Sequence, residues 1–341
     1  MSMPVLQRVL AIVICGCALP AWAGDPDARA WLERMTKALA TRSYEGKFFH
    51  LSASRSESMW IIHSVTDGKV SERLVALDNS GREIIRNESE LICYLPDQHT
   101  VLVEKRDDQQ SLLSSLPSYS EQLETHYSIE TGPATKVLGR KTQLILVQPR
   151  DQYRYGYRLW LDKETAMPLK SQLCDARGNV IEQMLFAELR LQASIPAERL
   201  QPGVDATGFK WVKQDIRAPR TPGARMGWYV VRLPAGFKLR TARIQRVEGS
   251  VEPTRHLVYS DGLASVSVFI EPRGGKAEPP PGQGLAKLGS AFAYSRPMDG
   301  HQVTAVGEVP AATVEAIATN VSRQQDAAAA SEPAEAEEAT R

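Results

Sequence analysis

The sequence predicts a mostly antiparallel α+β protein of two domains, the first a large curved sheet with a helix at its mouth. Two observations carry this. Between Tyr44 and about Gln192 apolar residues recur with period two, and turn signals interrupt them roughly every 8 to 12 residues without helix-length crossovers. A Pro/Gly-rich stretch, SIPAERLQPGVDATG, then breaks the pattern before a second set of strands begins.

The elements follow in order. Met1–Ala23 has a short basic start with Arg8, an apolar run from Val9 to about Leu19 and the small-x-small pattern Ala21-Trp22-Ala23. That run is too short to span a bilayer, which takes about 20 helical residues. It predicts an exported protein, cleaved after Ala23. Lipidation at Cys17 is the weaker alternative, because it shortens the apolar run and puts Cys15 where a small aliphatic residue is usual. Next, DPDARAWLERMTKALATRSY sets Trp31, Leu32, Met35, Ala38 and Leu39 at helical spacing behind Asp25 and Pro26. One face of that helix should bury.

The first-domain strands are apolar on both faces: Trp60 and Ile62 alternate with Met59 and Ile61, and Leu144 and Leu146 with Ile145 and Val147. A sheet with one wet face would alternate apolar and polar instead. The first helix, a short helix near SYSEQLETHY and a bound ligand are the available covers. The domain should run over residues 24–200, with a linker over 201–222 in which GFKWVKQD already looks strand-like. Residues 223–323 form the smaller domain, closed by the helix PAATVEAIATNV, and 324–341 form an Ala/Glu-rich disordered tail with five acids and one base.

Charge excludes some partners. Without the leader, 40 basic residues face 40 acidic ones, a balance that gives no field for nucleic acid. Catalytic signatures are missing as well: there is no GxSxG, SxxK, HExxH, Gly-Lys-Ser/Thr loop or helix-opening GxGxxG. The six histidines lack metal spacing, although His50 and His63 on neighbouring strands could take zinc with a carboxylate. The expectation is no enzyme, no cofactor and no resident metal. Cys93 and Cys174 remain after cleavage; a disulfide between them and two separate thiols are both open.

A set of short stretches, in order and at matching spacing across both domains, carries a family resemblance. In the first domain they are Gly81–Asn87 (GREIIRN), Cys93–Asp97 (CYLPD), Leu138–Arg140, Pro149–Asp162 (PRDQYRYGYRLWLD) and Met167–Leu169. In the second they are Gly227–Val230 (GWYV), Leu257–Leu263 (LVYSDGL), Ser267–Phe269 and Val303–Pro310 (VTAVGEVP). Together they resemble the RseB/MucB family of periplasmic regulators of sigma-E-type envelope stress responses. The resemblance implies an unclosed N-terminal β-barrel similar to the LolA/LolB carriers, with helices plugging an apolar cavity, and a smaller β-rich domain after a linker. It implies binding to the periplasmic part of a membrane-spanning anti-sigma factor and its protection from regulated proteolysis. Release would follow when lipopolysaccharide or lipoprotein acyl chains enter the first domain. A lipoprotein or lipid carrier is the alternative, against which the second domain speaks, and homo-oligomerisation is left open.

Within that frame the cavity candidates are Met35, Phe48, Trp60, Ile62, Leu74, Tyr94, Leu146, Met184 and Phe186. The partner-binding candidates, chosen as aromatic and arginine side chains of the second domain, are Trp228, Tyr229, Arg232, Tyr259, Phe269 and Tyr294. The ladder RDQYRYGYRLWLD offers Arg154 and Arg158 for the head group of an amphiphile at the rim. Read as one strand, it puts Tyr153, Tyr155, Tyr157, Leu159 and Leu161 on one face and Arg154, Gly156, Arg158 and Trp160 on the other. Gly156 between the two arginines signals a bend or the close approach of a neighbour.

Overall fold

The computed structural model describes residues 27–52, 55–105, 116–215, 227–245, 253–273 and 283–324. The expected leader, the tail beyond Gln324 and most of the loop RGGKAEPPPGQG lie outside the described residues. The first described element is α1 (Ala28–Thr41), capped by Asp27, with the predicted Trp31, Leu32, Met35, Ala38 and Leu39 all buried.

Among the described residues, twelve strands form the first sheet. They are β1 (Ser43–Ser52), β2 (Ser56–Thr66), β3 (Lys69–Ala76), β4 (Glu83–Arg86), β5 (Glu90–Leu95), β6 (Thr100–Lys105), β7 (Tyr127–Val137), β8 (Arg140–Pro149), β9 (Gly156–Asp162), β10 (Pro168–Cys174), β11 (Val180–Gln192) and β12 (Lys210–Asp215). A short helix, α2 (Glu121–His126), precedes β7. The order β12-β6-β5-β4-β3-β2-β1-β11-β10-β9-β8-β7 is two meanders joined where β1 meets β11. The end strands β12 and β7 do not pair, so the sheet is unclosed. Part of the stretch expected as a linker, Lys210–Asp215, belongs to this sheet as β12, which pairs parallel against β6. The hairpin turn at Asp67-Gly68 has φ of 52° and 75°, the left-handed backbone that tight two-residue hairpins require.

The inner face of the sheet wraps α1. Phe48, Met59, Ile61, Ile145, Val147, Leu159, Leu161, Met184 and Phe186 join the helix face in one apolar core. Its polar inclusions are paired: His63 Nδ1 lies 2.7 Å from Glu72 Oε1 with both side chains fully buried, the Arg86 guanidinium lies 3.7 Å from Glu72 Oε2, and Tyr44 stacks on the His63 ring at 4.6 Å. A satellite core of Tyr94, Val101 and Val103 packs under Val204, Ala206 and Phe209.

The second domain contains β13 (Trp228–Val230), β14 (Lys238–Gln245), β15 (Thr254–Ser260), β16 (Ser265–Pro272), β17 (Gly284–Leu288), β18 (Ala291–Met298), β19 (His301–Gly307), α3 (Ala311–Thr319) and β20 (Val321–Arg323). Its six-stranded sheet runs β14-β15-β16-β19-β18-β17, all antiparallel, while β13 pairs with β20. Val266, Val268, Ile270, Val303 and Ala305 bury against Val314, Ile317 and Ala318 of α3. Arg296 donates to the α3 C-terminal carbonyls of Ala318 and Thr319, where a cation meets the negative end of the helix.

Candidate functional site

A cavity of about 220 Å³ opens on the inner face beside α1's core. Phe48, Ile61, Leu74, Leu116, Leu173 and Met184 make its apolar wall, and Tyr157, Ser171, Gln183, His50, Glu182 and Glu308 make its polar margin. Glu308 comes from the second domain, so the cavity is completed only where the two domains meet.

Strand parity sorts the predicted cavity residues. Phe48, Leu74 and Met184 line the space, while Met35 and Phe186 stand behind it in the same core. Trp60, Ile62 and Leu146 belong to the opposite face. On β2 it is Met59 and Ile61 that point inward, and on β8 Ile145 and Val147, so the alternate residues point out. Trp60 lies in an outer hollow with Glu45 and Lys47, its ring flanked by the guanidinium groups of Arg73 and Arg199 at 5.8 Å and 5.4 Å. Tyr94 sits in the satellite core instead, edge-on to Trp211 at 6.3 Å.

Neither ladder arginine reaches the cavity rim. The strand begins only at Gly156, so Tyr153 and Arg154 occupy the preceding turn and escape strand alternation. From Gly156 onward the alternation holds: Tyr157, Leu159 and Leu161 face in, and Arg158 pairs with Leu146 and Gln172 on the outer side. A side-chain carbon on Gly156 would lie 3.0 Å from the Val147 carbonyl and 3.1 Å from Pro149, so the neighbouring strand does approach closely there.

Arg154 is instead the centre of the domain junction. It is 1% exposed. Its Nε lies 2.9 Å from Asp261 of the second domain and its Nη1 3.0 Å from Asp151. Its Nη2 donates to the Ala235 carbonyl, also across the junction. The guanidinium lies over the rings of Tyr127 at 5.7 Å and Phe237 at 5.3 Å. Asp261 is held in turn by the Tyr127 hydroxyl at 3.3 Å and by the amides of Leu263 and Ala264. Burial, with Asp261 alongside, pushes the Tyr127 phenol far above its ordinary range, so it stays a donor. Thr313 of α3 donates to the Tyr153 carbonyl at 2.7 Å. Gly236 (φ +83°) closes on His126 so tightly that an added side-chain carbon would lie 2.2 Å from its ring. Tyr155 and Tyr157 complete a second interdomain hollow with Leu263 and Ala264.

The second-domain candidates divide by exposure. Trp228 and Tyr259 are buried core residues, 5% and 3% exposed, and cannot meet a partner in this state. Phe269 stacks on His256 at 4.4 Å, and Tyr294 packs against the core from its margin. Tyr229, at 47%, and Arg232 remain open. Cys93 and Cys174 are both free thiols on separate strands, each pushed above its ordinary pKa by burial, so the disulfide is not formed. His50 and His63 lie six register positions apart along the β1–β2 ladder, since they pair with Glu57 and Tyr44. That is about 20 Å at strand rise, too far for a shared zinc. Among the described residues no three His, Cys, Asp or Glu side chains are arranged so that they could hold a metal ion, and no described helix is long and apolar enough to cross a membrane.

Asp261, Tyr127, Glu182 and Glu308 are not singled out by the sequence as functional residues, and His50 is singled out only as a possible zinc ligand with His63. The signals available were an arginine among tyrosines three residues after Asp151, and the stretches Leu257–Leu263 and Val303–Pro310, which contain Asp261 and Glu308.

Fold and site define a class: a two-domain, mostly antiparallel β-protein whose apolar cavity opens at a polar domain junction. The MucB/RseB N-terminal domain model matches residues 27–204 and the MucB/RseB C-terminal domain model residues 222–322. The chain belongs to the MucB/RseB family. It is 33% identical over 307 residues to the sigma factor AlgU regulatory protein MucB of Pseudomonas aeruginosa, covering 86% of this chain and 90% of that one. It is 25% identical over 297 residues to the sigma-E factor regulatory protein RseB of Escherichia coli, covering 87% and 91%. Among solved structures, MucB in the P. aeruginosa MucA/MucB complex superposes with a TM-score of 0.69 at 30% identity, covering 87% of this chain and 99% of that one. A structure of MucB without a named partner gives 0.61 at 29% identity, covering 87% and 98%.

Proposed function

We propose that this chain is a periplasmic, non-catalytic negative regulator of a sigma-E-type stress response. It binds the periplasmic part of an anti-sigma factor, protects it from proteolysis, and lets it go when a lipidic ligand enters the first domain. Its relative MucB is known in complex with the periplasmic part of MucA, which supports a partner of that kind here. The observation that carries the lipid half is the composition of the cavity, an apolar wall from the first domain with Glu308 of the second at its margin.

Size gives the mechanism a direction. At about 220 Å³ the cavity is smaller than the roughly 300–1,000 Å³ of ordinary ligand clefts. A whole acyl chain therefore needs the mouth to open, and the mouth is the domain junction. Each buried methylene contributes about 0.8 kcal/mol. A few of them supply the roughly 1–3 kcal/mol of a typical allosteric coupling. A ligand that prefers the open junction weakens any partner that prefers the closed one, and the partner weakens the ligand by the same factor.

Copurification from periplasm, with mass spectrometry of proteins and lipids, tests the reading. Recovery of an anti-sigma factor fragment and its displacement by added lipid support it. Recovery of lipoproteins with no such fragment would favour the carrier alternative and overturn it.

A further inference from the structure

The cavity mouth carries ionisable groups that acyl-chain burial does not call for. His50 on β1 and Glu182 on β11 face each other at 3.2 Å. Glu308, just past β19, reaches the same margin from the second domain, beside Glu182 and Ser290 of the β17–β18 turn. Two carboxylates from different domains brought to one half-buried margin disfavour double ionisation, so a proton held by one of them lets the other accept from it.

The surroundings place that proton. Desolvation, and Glu182 alongside, hold Glu308 above the ordinary carboxylate range. The hydrogen bond from His50 holds Glu182 below it, and the same bond raises His50. The other charged groups nearby have partners of their own. Glu57 on β2 is paired with Arg55 and Arg82, and Asp261 with Arg154. Asp175 is held low by Asn179. Tyr155 and Tyr157 face Glu308 from β9 and the turn before it; burial pushes Tyr155 up to about 12 and Tyr157 higher still, so both stay neutral.

We propose that Glu182 and Glu308 form a proton-held clasp across the domain junction, closing the cavity mouth in acid and loosening it as pH rises. The sign follows from linkage. The closed form holds the Glu308 proton more tightly than an open form with Glu308 in water, so acid favours closure, and closure is lost as pH rises through the closed-state value. An acyl ligand that needs the mouth open then binds more tightly at higher pH. That last step rests on the cavity being the lipid site; the clasp itself does not.

Two measurements on the whole protein separate the two claims. Hydrogen exchange of residues 180–192 and 301–310, corrected for intrinsic rates between about pH 5 and 8, should show about fivefold or greater protection in acid. Glu308→Gln keeps a donor for Glu182 without a titrating proton, so its protection should be high and independent of pH; Glu308→Ala should be unprotected throughout. A wild-type profile without pH dependence, or the same dependence in Glu308→Gln, overturns the clasp. The second measurement uses a fluorescent lysophosphatidylcholine, whose charge does not change over that range. Its affinity should rise about fivefold from acid to alkali in wild type and stay flat in Glu308→Gln. If the probe binds at no pH, the lipid reading fails while the exchange data still decide the clasp.

Discussion

The cavity wall and the domain junction meet at Tyr157 and Glu308, yet they are built on opposite terms. The wall is apolar and non-directional, so its residues exchange for others of similar volume at modest cost. The junction is a network of named partners around Arg154, each with its own geometry, where removing one member strands the others. A wall of this kind suits ligands that vary in head group and share acyl chains. A junction of this kind has discrete closed and open arrangements, which is what a switch requires.

The comparison breaks most visibly at Arg154. Arg154→Ala leaves Asp261 buried and uncompensated, a loss of roughly 3–5 kcal/mol. Differential scanning calorimetry should show the two domains melting separately, where the wild type melts with them coupled; a single unchanged transition would mean that the junction does not hold them together. The wall should respond less. Leu74→Trp fills the cavity and should weaken binding of the lysophosphatidylcholine probe about tenfold, close to 1.4 kcal/mol. Leu146→Trp, on the outer face, should change it by no more than about twofold. Equal effects of the two would contradict the assignment of faces. Smaller again, Tyr229→Ala should cost about 1 kcal/mol of partner affinity with the domain still folded, as read by titration calorimetry with the anti-sigma factor segment. Reductant should not shift the melting temperature at all, because Cys93 and Cys174 are already thiols.

Periodicity made much of this legible. α1 could be read residue by residue because a helix on a core buries one stripe, and the strands could be read from period two and their turns. Which face is concave could not be read, because both faces of β2 and β8 are apolar. The outer face of β2 is covered in part by the turn Ala197–Leu200, which sequence alone does not place against β3. Trp60, Ile62 and Leu146 went to the wrong side for that reason. Arg154 was misplaced because the alternation was carried two residues past the start of β9 into a turn. Its partner Asp261 is 107 positions away along the chain, a pairing that only the docked domains create. Glu308 was invisible for the same reason: its role depends on a cavity in the other domain.

The central claim is that ligand entry and partner binding are linked through the junction. It is tested most directly by titrating the periplasmic segment of the cognate anti-sigma factor into the whole protein, with and without saturating lysophosphatidylcholine. Lipid should weaken the segment's affinity by about 5- to 150-fold in wild type and far less in Arg154→Ala. An affinity unchanged by lipid that is demonstrably bound to the wild-type protein would contradict it.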